Sequence, residues 1–99
     1  MTPRERELVD RFLNAFNRIE AAMCVTLKTR EPFTLLLQAM FDRNRIFNED
    51  YSFLNKCRQL RNVLVHESET YMALPASAMV EHLEELAEKF ENSPTVYTY

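Results

Sequence analysis

Not one of the chain's 99 residues is glycine, and that absence constrains the fold more than any residue present. Glycine enters left-handed backbone at no steric cost, so tight two-residue hairpins of the Asn-Gly kind lose their usual residue. Glycine-rich phosphate loops and dinucleotide-binding fingerprints are removed with it. What remains is a helical chain. Ninety-nine residues support a single core, because two halves would each fall near the size where disulfides or metals must replace burial. A hydrophobic content of 46%, with seven Phe and four Tyr, fills that core, and 27% charge is ordinary for a folded domain.

Four helical patterns follow. Thr2-Pro3-Arg4-Glu5 reads as a capping box with Pro at the first helical position. Leu8, Phe12, Ala15, Phe16, Ile19, Met23 and Leu27 then recur at three- and four-residue steps as one apolar stripe. Phe33, Leu36, Leu37, Met40 and Phe41 predict a short second helix to about Arg43. Asn48 is the expected cap of a third, whose apolar line is Phe53, Cys57, Leu60 and Leu64, flanked by Leu54 and Val63. Pro75 opens a fourth, in which Met79, Val80, Leu83, Leu86, Ala87 and Phe90 face inward until Asn92-Ser93-Pro94 stops it. The expected fold is all-α, an up-and-down antiparallel bundle of about four helices over residues 1–94. Residues 95–99 form an extended tail or the start of a linker.

The longest apolar run is five residues, Ala21 to Val25, far short of a membrane span, so no membrane partner is expected. The charged start Met1-Thr2-Pro3-Arg4-Glu5-Arg6-Glu7 is not a signal peptide. Cys24 and Cys57 make neither a framework nor a CxxC pair, which points to two reduced, mostly buried thiols in a cytoplasmic protein. The net charge of −3 hides a gradient. Residues 28–61 carry seven basic and four acidic side chains, whereas residues 62–99 carry one lysine against seven glutamates. A long polyanion would meet attraction in the middle and repulsion afterwards, so a site-focused contact is expected rather than unspecific duplex binding.

Chemistry has few places to reside. Two histidines and no Cys/His cluster leave no metal site and no cofactor motif in the sequence. Glu81, Glu84, Glu85 and Glu88 read as a solvated helix face, and His82 as a structural histidine among them. The segment Arg61-Asn62-Val63-Leu64-Val65-His66 is different, because three polar residues interrupt a helix that is otherwise running into the core. An unpaired polar group there costs about 1–3 kcal/mol. Asn62 and His66 share a face, while Arg61 and His66 stand about 140° apart on an ideal helix. A second copy across a two-fold axis would bring two such sets into one cleft.

Arg-Asn-x-x-x-His with an apolar residue before the arginine, on the third helix of a small helical domain, resembles the HEPN family. That family's signature is Arg, a polar residue, and His after four to six intervening positions, and Arg61 to His66 fits with four. Phe16-Asn17-Arg18-Ile19-Glu20 is similar to the aromatic and acidic stretch of the family's first helix. The Glu-rich last helix, ending Asn92-Ser93-Pro94, resembles HEPN modules that precede other domains.

The resemblance implies a two-fold homodimer along the motif helix. It further implies a metal-independent endoribonuclease of toxin or defence type, in which Arg61 and His66 are catalytic and Asn62 and Glu20 orient them or the RNA. Two features depart from the family. Ser68 stands where HEPN toxins paired with an antitoxin often carry tyrosine, and Met23-Cys24 replaces basic residues after the first-helix acid. Three readings stay open: the nuclease; a non-catalytic dimerisation or nucleotide-binding module attached to a regulatory domain; and a structural motif in which Arg61 pairs with Glu20.

Overall fold

The computed structural model describes residues 2–66 and 74–92, excluding the side chains of Val65 and His66. The expected tail 95–99 and most of the connector before the fourth helix lie outside the described residues. Among the described residues there are four α-helices: α1 Pro3–Leu27, α2 Phe33–Asp42, α3 Asn48–His66 and α4 Ser77–Asn92. No strand occurs among the described residues.

Helix ends follow local chemistry. At the start of α1 the Thr2 hydroxyl accepts from the Glu5 amide at 3.1 Å, and the Thr2 amide donates to Glu5 Oε1 at 2.7 Å. This is the expected capping box, and its hydrogen bonds from Thr2 hold the Glu5 carboxyl below its ordinary pKa. Without glycine, the left-handed residues that end α1 and α2 are Lys28 (φ 56°) and Asn44 (φ 55°). Each is followed by an amide that reaches back five residues, Thr29 to the Cys24 carbonyl at 3.1 Å and Arg45 to the Met40 carbonyl at 2.8 Å.

Two predicted starts are corrected. The Tyr51 amide donates to the Phe47 carbonyl, so Phe47 holds the cap position and Asn48 is already inside α3. Likewise the Val80 amide donates to the Ala76 carbonyl, and α4 begins at Ser77, two residues after Pro75.

The core is continuous. Phe12, Phe16, Ile19 and Met23 of α1 pack with Leu36 and Leu37 of α2, Leu54 and Cys57 of α3, and Val80, Leu83 and Leu86 of α4. Along α3 the buried seam is Leu54, Cys57 and Leu64, whereas Phe53 and Leu60 are only half-buried. The predicted line was thus turned slightly around the helix. The seam steps three, four and three residues through Leu54, Cys57, Arg61 and Leu64, and Arg61 fills a position that a core residue would ordinarily take.

Helix direction departs from the antiparallel expectation. Arg11 grips Glu84 with Nε to Oε2 at 3.0 Å and Nη2 to Oε1 at 2.6 Å, and Arg18 grips Glu91 with the same geometry and distances. Both partners advance seven residues in the same sense, so α1 and α4 are parallel. Phe53 of α3 meets His82 of α4, and Arg61, eight residues on, meets Phe16 of α1, between the levels of Arg11 and Arg18. Hence α3 runs with α1 and α4. Only α2 runs against them, from Phe33 stacked on Phe16 to Phe41 beside Tyr51 in the first turn of α3. The order is up-down-up-up. Amphipathic period assigns a helix its buried face and says nothing of its direction. The stretch 67–76 can span about 33 Å when extended, more than the length of α3, about 28 Å, so it permits a parallel return.

Candidate functional site

The site is built on the second half of α3 and the face of α1 opposite it. Because Arg61 occupies the core seam of α3, its side chain is directed at α1, where the guanidinium carbon lies 5.5 Å from the Phe16 ring centre. Phe16 is itself fixed. It is buried, and its ring stacks on Phe33 at 4.1 Å and 23°. The aromatic face offers Arg61 a cation–π contact, worth about 0.5–1 kcal/mol where solvent still reaches it.

Among the described residues no carboxylate lies within ion-pair distance of Arg61. The anticipated Glu20–Arg61 pair is therefore absent from the described contacts, although Glu20 stands only one turn beyond Phe16 on α1. The contrast with the other face of α1 is sharp. There Arg11 and Arg18 are each neutralised by a bidentate glutamate. The hydrogen bonds from these arginines lower the pKa values of Glu84 and Glu91.

Asn62 is half-buried beside Arg61 and makes no side-chain hydrogen bond among the described residues. His66 is the last residue of α3, and its side chain lies outside the described residues, as do Ser68 and Tyr71. The backbone places His66 about 7.5 Å beyond Arg61 along the helix axis. The structure thus brings Arg61 to the α1–α3 boundary, with Asn62 next to it in sequence, and puts His66 at the end of α3.

Glu20 opens onto a cleft of about 670 Å³ between the second half of α1 and the link to α2, with Asn17, Cys24, Val25, Arg30 and Pro32 also in its wall. Asn17 and Arg30 were not singled out from the sequence. Asn17 and Glu20 stand three residues apart on α1 as a polar edge beside the apolar stripe, and that was the available signal.

The remaining groups resolve simply. Cys57 is fully buried, and burial pushes its thiol up to about 12, which keeps it protonated and unreactive. His82 is exposed with its ring edge-on to Phe53 at 4.4 Å. Tyr51 is held within the chain: its hydroxyl donates to Gln38 Oε1 at 2.8 Å and its ring tilts on Phe41. Among the described residues no cluster of His, Cys, Asp and Glu could hold a metal ion, and no helix is long and apolar enough to cross a membrane. Comparison with protein-family models, curated proteins and solved structures finds no match to this chain.

Proposed function

We propose that this chain is a metal-independent endoribonuclease of the HEPN kind, acting as a homodimer in which two α3 helices bring their Arg61, Asn62 and His66 sets into one cleft. One observation carries the reading: Arg61 sits at a core position, half-exposed, with no carboxylate to neutralise it among the described residues, whereas Arg11 and Arg18 on the same bundle are both paired. A planar guanidinium fixed on an aromatic ring and left uncompensated suits a phosphate. It also suits the extra negative charge that develops as a phosphate becomes pentacoordinate.

In this mechanism the ribose 2′-hydroxyl attacks the adjacent phosphorus and the bond to the 5′-oxygen of the next nucleotide breaks. The products are a 2′,3′-cyclic phosphate and a free 5′-hydroxyl. One imidazole takes the 2′-hydroxyl proton and the other His66 of the dimer gives a proton to the leaving oxygen, a task for a group that titrates near neutrality. Arg61 stabilises the non-bridging oxygens, and Asn62 orients substrate or imidazole. The need for a 2′-hydroxyl selects RNA over DNA.

The acidic balance of residues 62–99, one lysine against seven glutamates, favours a second reading, a non-catalytic HEPN module that gives dimerisation or nucleotide binding to a larger protein. Incubating single-stranded RNA with wild type and with His66→Ala, both in excess chelator, separates the two. The nuclease reading expects cleavage by wild type alone, and no cleavage, or equal cleavage by both, rejects it.

A further inference from the structure

The cleft between the second half of α1 and the link to α2 has a chemistry of its own. Its polar edge is Asn17, Glu20, Arg30 and Glu31, none of which has a side-chain hydrogen bond or ion pair among the described residues, and its apolar wall includes Val25 and Pro32. At about 670 Å³ it has the size of a small-molecule site. It shares Cys24, Val25 and Arg30 with a second groove of about 320 Å³, in which Lys28 joins Arg30. Lys28 is the left-handed cap of α1, and its own amide is tied to the Cys24 and Val25 carbonyls. A cleft that offers an amide and two carboxylates, Glu20 and Glu31, therefore adjoins a groove that offers two cations.

We infer that this double cleft binds a guanosine monophosphate unit, with the base at Asn17 and Glu20 and the phosphate at Lys28 and Arg30. An ionised carboxylate can only accept hydrogen bonds. Among the four RNA bases, guanine alone presents two neighbouring donors on its pairing edge, the N1–H and the 2-amino group, which match the two oxygens of Glu20. Asn17 supplies an N–H to the guanine 6-oxygen. Adenine and cytosine set a ring-nitrogen acceptor beside their amino group, and uracil flanks its single N–H with two carbonyls. Each would turn an acceptor toward a carboxylate oxygen. Single-stranded RNA displays this edge when its bases are splayed out, and the flat apolar wall of Val25 and Pro32 takes the face of the ring. The inference deepens the ribonuclease reading and rests on it only for RNA as the source of the guanosine unit.

The test is a titration of the full chain with guanosine, inosine and adenosine 5′-monophosphates, followed by calorimetry and amide chemical shifts. Inosine keeps the N1–H and the 6-oxygen but lacks the amino group, so the comparison needs no altered protein. The expected result is guanosine binding at least about tenfold tighter than either other nucleotide, the scale of one bidentate base contact. Shifts should centre on Asn17 to Val25, and Glu20→Gln should erase the preference. Equal binding of all three, binding of none, or a preference that survives Glu20→Gln overturns the assignment. A second arm compares single-stranded RNA carrying one guanosine with the same strand carrying inosine. Loss of affinity on that exchange identifies RNA as the ligand. Preference confined to the free nucleotide, with no RNA cleaved, retains the cleft and removes the nuclease.

Discussion

The guanidinium carbon of Arg61 in α3 rests 5.5 Å from the ring centre of Phe16 in α1, so the two helices meet there through a cation on an aromatic ring and not through an ion pair. Among the described residues the arginine is thereby positioned and has no carboxylate to neutralise it. Replacing Arg61 with leucine keeps an aliphatic side chain in the seam and should change unfolding free energy by only about 1 kcal/mol, since the lost cation–π contact is small. The same substitution should abolish RNA cleavage. Denaturant unfolding and an RNA assay on one preparation check both halves.

The two bidentate pairs between α1 and α4 predict how stability responds to acid. Glu84 and Glu91 have pKa values depressed below the ordinary 4.5 by hydrogen bonds from Arg11 and Arg18. A depressed folded pKa contributes stability that is fully present above the unfolded value and is lost as pH falls through the folded one. Thermal melts should therefore lose Tm below about pH 4.5, and 1 M salt should blunt that dependence, because the four side chains are 33–40% exposed. In addition, the double swap Arg11→Glu with Glu84→Arg should recover most of the Tm that either single change removes, as the parallel register requires.

Burial of Cys57 sets a limit on the alkaline side. Its thiol is raised from 9.0 to about 12 by desolvation, so the folded state keeps its proton where the unfolded chain would release it. Stability is then complete below about pH 9 and declines as pH rises from there toward 12. At pH 8 an alkylating reagent should modify the half-exposed Cys24 first and reach Cys57 only on unfolding, which mass spectrometry of native and denatured samples reads directly.

Leu54 of α3 is completely buried where the sequence pattern had favoured Phe53. Leu54→Ala should therefore cost about 2–5 kcal/mol in denaturant unfolding, as a core truncation does, and Phe53→Ala, at a half-buried position, markedly less.

Much of the bundle was legible because burial and helical period are the same information. The α1 stripe from Phe12 to Leu27 and the α4 line from Val80 to Phe90 were read from spacing alone, and both are buried. The seam of α3 was harder, since Arg61 occupies one of its positions and breaks the apolar line, so that Phe53 and Leu60 completed the pattern in its place. The direction of α4 had no local signature. It follows from Arg11 and Arg18 meeting Glu84 and Glu91, partners 73 residues away in each case, and no helical period relates residues so far apart. At the site, Arg61 and Asn62 stood out as polar interruptions of an apolar helix, whereas the Arg61–Phe16 contact and the cleft of Asn17, Glu20 and Arg30 arise only when α1, α3 and the α1–α2 link come together.

The most direct test of the account is cleavage of an RNA that carries one 2′-deoxy substitution at the cut position, in chelator, with the product ends determined by mass spectrometry. The account predicts a 2′,3′-cyclic phosphate from the all-ribose strand and no cut at the substituted position. Cleavage through the 2′-deoxy position, or a product that ends in a 3′-hydroxyl, would contradict it.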